Sequence, residues 1–234
     1  VCLDFETGEE RWRFNLSETM GIDDATDLYP AGPPVIHEDR VLVLIRRERR
    51  QKLKSVYLLA LDRHDGTPVF TTYIASTSSQ SDGLRPLTMP VVDGGDVLVS
   101  TSIGAIACID VASGRIRWLQ RMATPVSSTL SSNRVRPYQL HRPLVSDDQV
   151  ISLTPDYRSM VRLDRRTGRI LQRVLLESRL DGSPPAYLLA DDEHVFVIGS
   201  AITCFDSRDL SEPLWTNWPR SRSTPLPGRV HLSG

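Results

Sequence analysis

Lysine is almost missing from this chain. Of its 28 basic residues only Lys52 and Lys54 are not arginine. Cysteine is scarce as well, with Cys2, Cys108 and Cys204 alone, no two adjacent and no C-x-x-C pair, which argues against a dithiol centre or a thiolate metal knuckle. The five histidines, at 37, 64, 141, 194 and 231, show no paired metal spacing. No apolar run approaches the length of a bilayer span. Neither the strand-turn-helix serine elbow nor the glycine-rich phosphate loop occurs. Net charge is −1, which gives no bulk attraction to nucleic acid. Nucleic acid and a transmembrane segment are therefore not expected.

What is present is a repeat. Cys108 to Trp118 reads C-I-D-V-A-S-G-R-I-R-W, and the pattern occurs five times. The first copy has Cys2, Asp4, Thr7, Gly8 and Trp12; the second has Ala60, Asp62, Asp65, Gly66 and Phe70. The fourth keeps Asp164, Thr167 and Gly168 but has Arg162 and Gln172 at the small and aromatic places; the fifth keeps Cys204, Asp206 and Trp215 but no glycine. Asp-to-Asp steps are 58, 48, 54 and 42 residues, a period that belongs to solenoids, propellers or arrays. An Asp carboxylate accepts backbone N–H groups two or three residues on, and a glycine takes positive φ. The spacing thus predicts a bulged β-hairpin in each copy, with the aromatic residue packed on a neighbouring unit.

A second marker recurs. Polar turns at His37–Arg40, Asp93–Asp96, Ser146–Gln149, Asp191–His194 and Leu226–Arg229 each precede a Val that opens an apolar strand. Short apolar stretches such as Met89–Val92 precede most of them. Two strands around this turn and two around the Asp/Gly turn make a four-stranded unit, and such units repeated radially are propeller blades.

The motif A-x-D-x-x-T-G-x-x-x-W resembles the repeat of β-propellers of the pyrroloquinoline-quinone (PQQ) type. That family includes quinoprotein alcohol dehydrogenases and the propeller lipoprotein of outer-membrane-protein assembly. The resemblance covers nearly the whole chain. It implies an all-β propeller of four-stranded antiparallel blades. About four complete and two half blades are expected over residues 1–234, read as one propeller domain cut from a longer chain. The arc would belong to a seven- or eight-bladed propeller; the alternative is a closed five-bladed ring. By resemblance the setting is the cell envelope or periplasm.

Fold alone does not give activity. The dehydrogenase members carry adjacent cysteines over the quinone, acidic and amide ligands to calcium and a catalytic Asp, and none of these can be matched here. The leading expectation is therefore a non-catalytic protein-binding or assembly scaffold without a cofactor, its protein partners on the loop face or at an exposed edge. The alternatives are part of a PQQ- and calcium-dependent dehydrogenase, or an interaction domain of a signalling protein. The three cysteines read as small core residues, with no intrachain disulfide. Asp23, Asp24 and Asp27 read as a solvated loop within residues 15–34. Segments 71–87 and 122–141, with Arg136 and Tyr138, read as connections that help build a docking face.

One insertion carries a candidate site. From Val41 to Asp62 is 21 residues, against 13, 14 and 11 between the corresponding Val and Asp elsewhere. The excess lies in Arg46–Lys54, read as an enlarged hairpin tip. Arg47, Arg49, Arg50 and Lys52 are the candidate groups for an anionic partner or lipid headgroups.

Overall fold

The structure is a computed structural model and describes residues 1–19, 28–49, 53–78, 87–122, 140–146, 148–155, 158–176 and 185–217. Blades are numbered here by the repeat copy each carries. The first copy forms a two-stranded hairpin, β1 (Cys2–Leu3) and β2 (Glu10–Trp12). A one-turn helix, α1 (Leu16–Thr19), and a short strand, β3 (Leu28–Pro30), lead into the second blade of β4 (Val35–His37), β5 (Arg40–Arg49), β6 (Leu53–Asp62) and β7 (Pro68–Thr77). After β8 (Leu87–Thr88), the third blade is β9 (Val91–Asp93), β10 (Asp96–Ser100), β11 (Ala105–Asp110) and β12 (Ile116–Arg121). After β13 (Leu140–His141), the fourth is β14 (Leu144–Val145), β15 (Gln149–Leu153), β16 (Ser159–Asp164) and β17 (Ile170–Leu175). The fifth is β18 (Tyr187–Ala190), β19 (His194–Ile198), β20 (Ile202–Asp206) and β21 (Pro213–Asn217). Each full blade is an antiparallel meander in chain order, so the described residues hold four complete blades and the outer half of another. The segment expected to open a further blade, around Leu226–Arg229, lies outside the described residues.

Strand alternation sends side chains to two different junctions, and four apolar clusters fill the four junctions between successive copies. In β10, Val97 and Val99 join Leu42, Leu44 and Leu58 of the second blade. The intervening Leu98 points the other way, to Val150, Val161 and Leu163 of the fourth. Ile45, Leu59 and Leu61 pack with Trp12 and Phe14. Met160 and Val174 pack with Val195, Val197, Phe205 and Leu210. A buried polar contact also crosses a junction: Ser152 donates its hydroxyl to Ser100 Oγ at 2.8 Å.

Three details differ from the sequence expectation. Residues 15–34 are not all loop: they contain α1 and β3, and β3 pairs with the distal half of β5 (Leu28 opposite Arg47, Pro30 opposite Ile45), making a five-stranded sheet. The stretch 71–87 is strand as far as Thr77, and its end, β8, pairs in parallel with β13 at the end of the next long connection. The Arg46–Lys54 insertion is a hairpin, as expected, but its described residues, 46–49 and 53–54, are strand. It lengthens the ladder, with Arg46 opposite Val56, Arg47 opposite Ser55, Glu48 opposite Lys54 and Arg49 opposite Leu53. Charged residues with opposed partners continue a sheet as well as apolar ones do when the segment protrudes beyond the core.

Candidate functional site

The repeated Asp residues are the carboxylates that recur in register from blade to blade. Asp4 Oδ1 accepts the N–H groups of Glu6 and Thr7, each at 3.0 Å. Asp110 Oδ1 accepts from the N–H and hydroxyl of Ser113 at 2.8 and 2.7 Å, and Asp164 Oδ1 from those of Thr167 at 2.8 and 2.6 Å. The glycine N–H four residues on closes each bend onto the Asp carbonyl. These bonds hold the ionised form. Asp4 is lowered to about 2 by the Thr7 N–H and then Arg11, and Asp110 to about 2 by Ser113 and then Arg117. Such carboxylates are committed to turn geometry, not poised as proton-transfer groups near neutrality. The residue after each Asp from the second copy on (Arg63, Val111, Arg165, Ser207) donates its N–H to the neighbouring turn of its own blade, at Asp39, Gly95, Asp148 and Glu193 respectively.

The strand register places the five copies in equivalent positions. Cys2 faces Trp12, Ala60 faces Phe70, Cys108 faces Trp118, Arg162 faces Gln172 and Cys204 faces Trp215, each with a bulge immediately after. The cysteines are free, lie in three different sheets, and occupy the place opposite the ring of their own blade. Burial, then the neighbouring Asp96, pushes the Cys108 thiol up to about 12. These cysteines do not supply the adjacent pair that a quinone site of the dehydrogenase type uses. Among the described residues, no group of three His, Cys, Asp or Glu side chains converges as a metal site.

Three of the rings, Trp12, Phe70 and Trp118, then seat on the next blade. A Cβ on Gly66 would fall 2.5 Å from the Trp12 ring, one on Gly114 2.5 Å from the Phe70 ring, and one on Gly168 closer still to Trp118. Only a bare backbone permits this approach. The indole N–H of Trp12 donates to the Arg63 carbonyl at 2.9 Å, and that of Trp118 to the Arg165 carbonyl at 2.7 Å. At the fourth junction Gln172 replaces the ring. Its amide donates to Asp209 Oδ1 at 3.0 Å and to Ser211 Oγ at 2.9 Å, and accepts the Leu210 N–H at 3.2 Å. The loss of the aromatic in the fourth copy and of the glycine in the fifth are thus two halves of one substitution. The third junction adds an ion network: Arg165 meets Asp93 at 2.5 Å and Arg117 bridges Asp96 at 3.0 Å and Asp110 at 2.6 Å.

The candidate anion-binding residues lie on the distal part of the β5–β6 hairpin. Arg47 and Arg49 alternate on β5 with Arg46 and Glu48, which pair with each other at 3.0 Å (Arg46 Nε to Glu48 Oε1). Arg47 is partly buried between Ser55 and Leu28, and among the described residues its Nε has no hydrogen-bond partner. Arg49 closes β5 opposite Leu53. Arg50 and Lys52, like Arg136 and Tyr138, lie outside the described residues, as do Asp23, Asp24 and Asp27. The hairpin end points to the side of the blades opposite the Asp/Gly bends, because strands two and three of a blade turn at the far end from strands three and four.

A family described as outer membrane protein assembly factor BamB matches residues 1–217, and the chain belongs to that family. A comparison with curated protein sequences finds no match. The crystal structure of BamB from Moraxella catarrhalis is similar at 14% identity and TM-score 0.50, over 81% of this chain and 65% of that one. The computationally designed Ika4 protein is similar at 11% identity and TM-score 0.52, over 85% of this chain and 98% of that one. A europium-containing methanol dehydrogenase aligns at 11% identity and TM-score 0.46, over 82% of this chain and 43% of that one. The first two likenesses are likenesses of fold: the sheets are blades of a propeller. No helix among the described residues is long and apolar enough to cross a membrane.

Proposed function

We propose that this member of the BamB-like propeller family is a non-catalytic scaffold that binds protein partners during assembly in the cell envelope. The observation that carries this reading is that the polar groups repeated in every blade are occupied by turns and junctions, on a chain whose family match runs from residue 1 to 217. What varies from blade to blade is the surface, above all the lengthened β5–β6 hairpin. Function in propellers resides in such excursions from the scaffold.

The hairpin gives the partner's chemistry. Arg47 and Arg49 stand on the distal part of β5, Arg50 and Lys52 follow them in the sequence before β6, and an arginine guanidinium presents a planar fork to carboxylate or phosphate oxygens. The ligand is an anionic group, either the acidic segment of a protein or a lipid headgroup. Replacing Arg47, Arg49, Arg50 and Lys52 together with Ser removes four charges. At about 0.5–1 kcal/mol per exposed ion pair, binding of an acidic peptide should weaken by roughly 2–4 kcal/mol, or about 30- to 1,000-fold. Binding of wild type to a polyglutamate peptide and to vesicles containing phosphatidylglycerol, each at low and high salt, separates the two sources. Unchanged binding by the quadruple variant would end the assignment of this hairpin. A calorimetric titration with PQQ and calcium tests the wider reading, and tight stoichiometric uptake of the quinone would replace the scaffold with a dehydrogenase.

A further inference from the structure

The outer walls of the third and fourth blades carry charge of one sign. Residues 111–121 (V-A-S-G-R-I-R-W-L-Q-R) and 165–176 (R-R-T-G-R-I-L-Q-R-V-L-L) together hold seven arginines and no Asp or Glu. The corresponding stretches of the other copies all contain carboxylates: Glu6, Glu9 and Glu10 in the first, Asp65 in the second, Asp209 and Glu212 in the fifth. Arg117 and Arg165 are engaged at the third junction. Arg115, Arg121, Arg166, Arg169 and Arg173 are exposed, and among the described residues none of the five makes an ion pair. The carboxylates next to them in the chain, Asp110 and Asp164, are held by Ser113 and Thr167. Between these cations stand Ile116, Leu119, Ile170, Leu171 and Leu175, all exposed, the last at 63%. Both blades pack against a described blade on either face, so this strip lies on the wall of the propeller and not at an end of the arc.

The fourth blade offers the better edge. β17 is the outermost strand of its sheet, and among the described residues nothing pairs with its outer side. Beyond the bulge at Leu171 its side chains alternate: Gln172 and Val174 turn to the fifth blade, Arg173 and Leu175 to solvent. We propose that this edge takes an added strand from a partner protein, an extended segment in which acidic and apolar residues alternate. Its acidic side chain lies opposite Arg173 and its apolar one opposite Leu175, with Arg166 on the bend and Arg169 just after it extending the positive field. Two considerations select this occupant. The outward backbone N–H and C=O groups of an edge strand are met in register by another strand, whereas a lipid headgroup or a free phosphate answers only the charge. A cation on an open edge also turns away a second copy of the same edge and admits a strand of opposite charge. On β12 the equivalent edge is weaker, because Arg117 is held by Asp96 and Asp110. This surface is distinct from the β5–β6 hairpin and stands whether or not that hairpin binds an anion.

The test uses the full chain with Arg47, Arg49, Arg50 and Lys52 already changed to Ser, so that the two surfaces are read apart. The probe is a fluorescein-labelled peptide of alternating Glu and Val, about ten residues long, followed by fluorescence anisotropy at low salt. It should bind. Arg166→Ser, Arg169→Ser and Arg173→Ser together should weaken it by about tenfold or more, and Leu175→Glu should weaken it as well. Methylating the peptide's backbone nitrogens keeps its charge and removes its donors to the edge, and should weaken binding by about tenfold. Circular dichroism confirms that each variant is folded. A peptide that does not bind overturns the proposal, as does binding unchanged by the triple substitution. Equal affinity for the methylated peptide would reduce the contact to charge alone and overturn the added strand. Vesicles containing phosphatidylglycerol that bind through the same three arginines, more tightly than the peptide does, would assign the strip to a membrane surface and overturn the protein partner.

Discussion

Trp118→Ala is the sharpest test of how the blades are held together. The indole is 9% exposed, lies on the backbone of Gly168 and donates to the Arg165 carbonyl at 2.7 Å. It belongs to a cluster drawn from two blades, with Leu98, Ile106 and Cys108 on one side and Val150, Val161 and Leu163 on the other. The void left by truncation can close only if one sheet moves toward the other, which the Ser152–Ser100 contact and the Arg165–Asp93 bridge resist. Truncation of a buried aromatic residue costs about 3–5 kcal/mol when the site does not collapse, and a loss of about 4 kcal/mol is expected here. Trp118→Phe keeps most of the ring and loses the hydrogen bond, so it should cost only about 1–2 kcal/mol. Trp215→Ala provides the internal comparison. It removes the ring of the same repeat position, half exposed and, among the described residues, with no glycine beneath it, for about 1 kcal/mol. Urea unfolding followed by far-ultraviolet circular dichroism, with the denaturant slope checked for constancy, measures all three. Equal losses for Trp118→Ala and Trp215→Ala would refute the reasoning, because the claim is that the ring acts through the neighbouring blade.

Other outcomes follow from the same contacts. Gly168→Ala puts a side chain at φ +70° and into the Trp118 ring, and should cost about 2–3 kcal/mol in the same urea assay. Ser152→Ala leaves the buried Ser100 hydroxyl without its cross-blade donor and should cost about 1–2 kcal/mol, whereas the double change Ser100→Ala with Ser152→Ala should recover part of that loss in a double-mutant cycle. Asp4, Asp110 and Asp209 are held at about 2 when folded, below the ordinary 3.8, so folding is favoured while they are ionised. Their contribution is present above pH 4 and is lost as pH falls from about 4 to 2; thermal midpoints should drop through that window, and Asp110→Asn should make the drop shallower.

Much of the architecture was legible because its signals are local. An Asp with a glycine four residues on specifies a bulged bend within a single hairpin, and the small residue opposite the ring is fixed by the register of that hairpin. Five copies then placed the strands without any long-range information. What escaped the reading depends on distant partners. Leu28–Pro30 is too short for periodicity and becomes a strand only because β5 extends past β4. The parallel pairing of β8 with β13 joins residues that lie more than fifty positions apart, such as Leu87 and Leu140. The Arg46–Lys54 segment carries charges on both faces of a protruding ladder, so the alternation of apolar residues that marks a half-buried strand is missing. Gln172 looked like a lapse because its meaning lies in Asp209 and Ser211, residues of the next copy. The binding surface was legible only as charge. An excess of arginine names the sign of a ligand, and the shape of its contact depends on side chains beyond the repeat.

The Gln172 junction bears on how such a protein can change over time. Three seams accept a flat ring over naked backbone, and the fourth accepts only an amide clasped by a carboxylate and a hydroxyl. The copies are therefore not interchangeable cassettes. A duplication or a transplant that moved the fourth without the fifth would set an amide over empty backbone on one side and strand a polar loop on the other. Recombination among these units succeeds only where cut points keep each seam's two lips together, and the order of the units is written into the molecule one seam at a time.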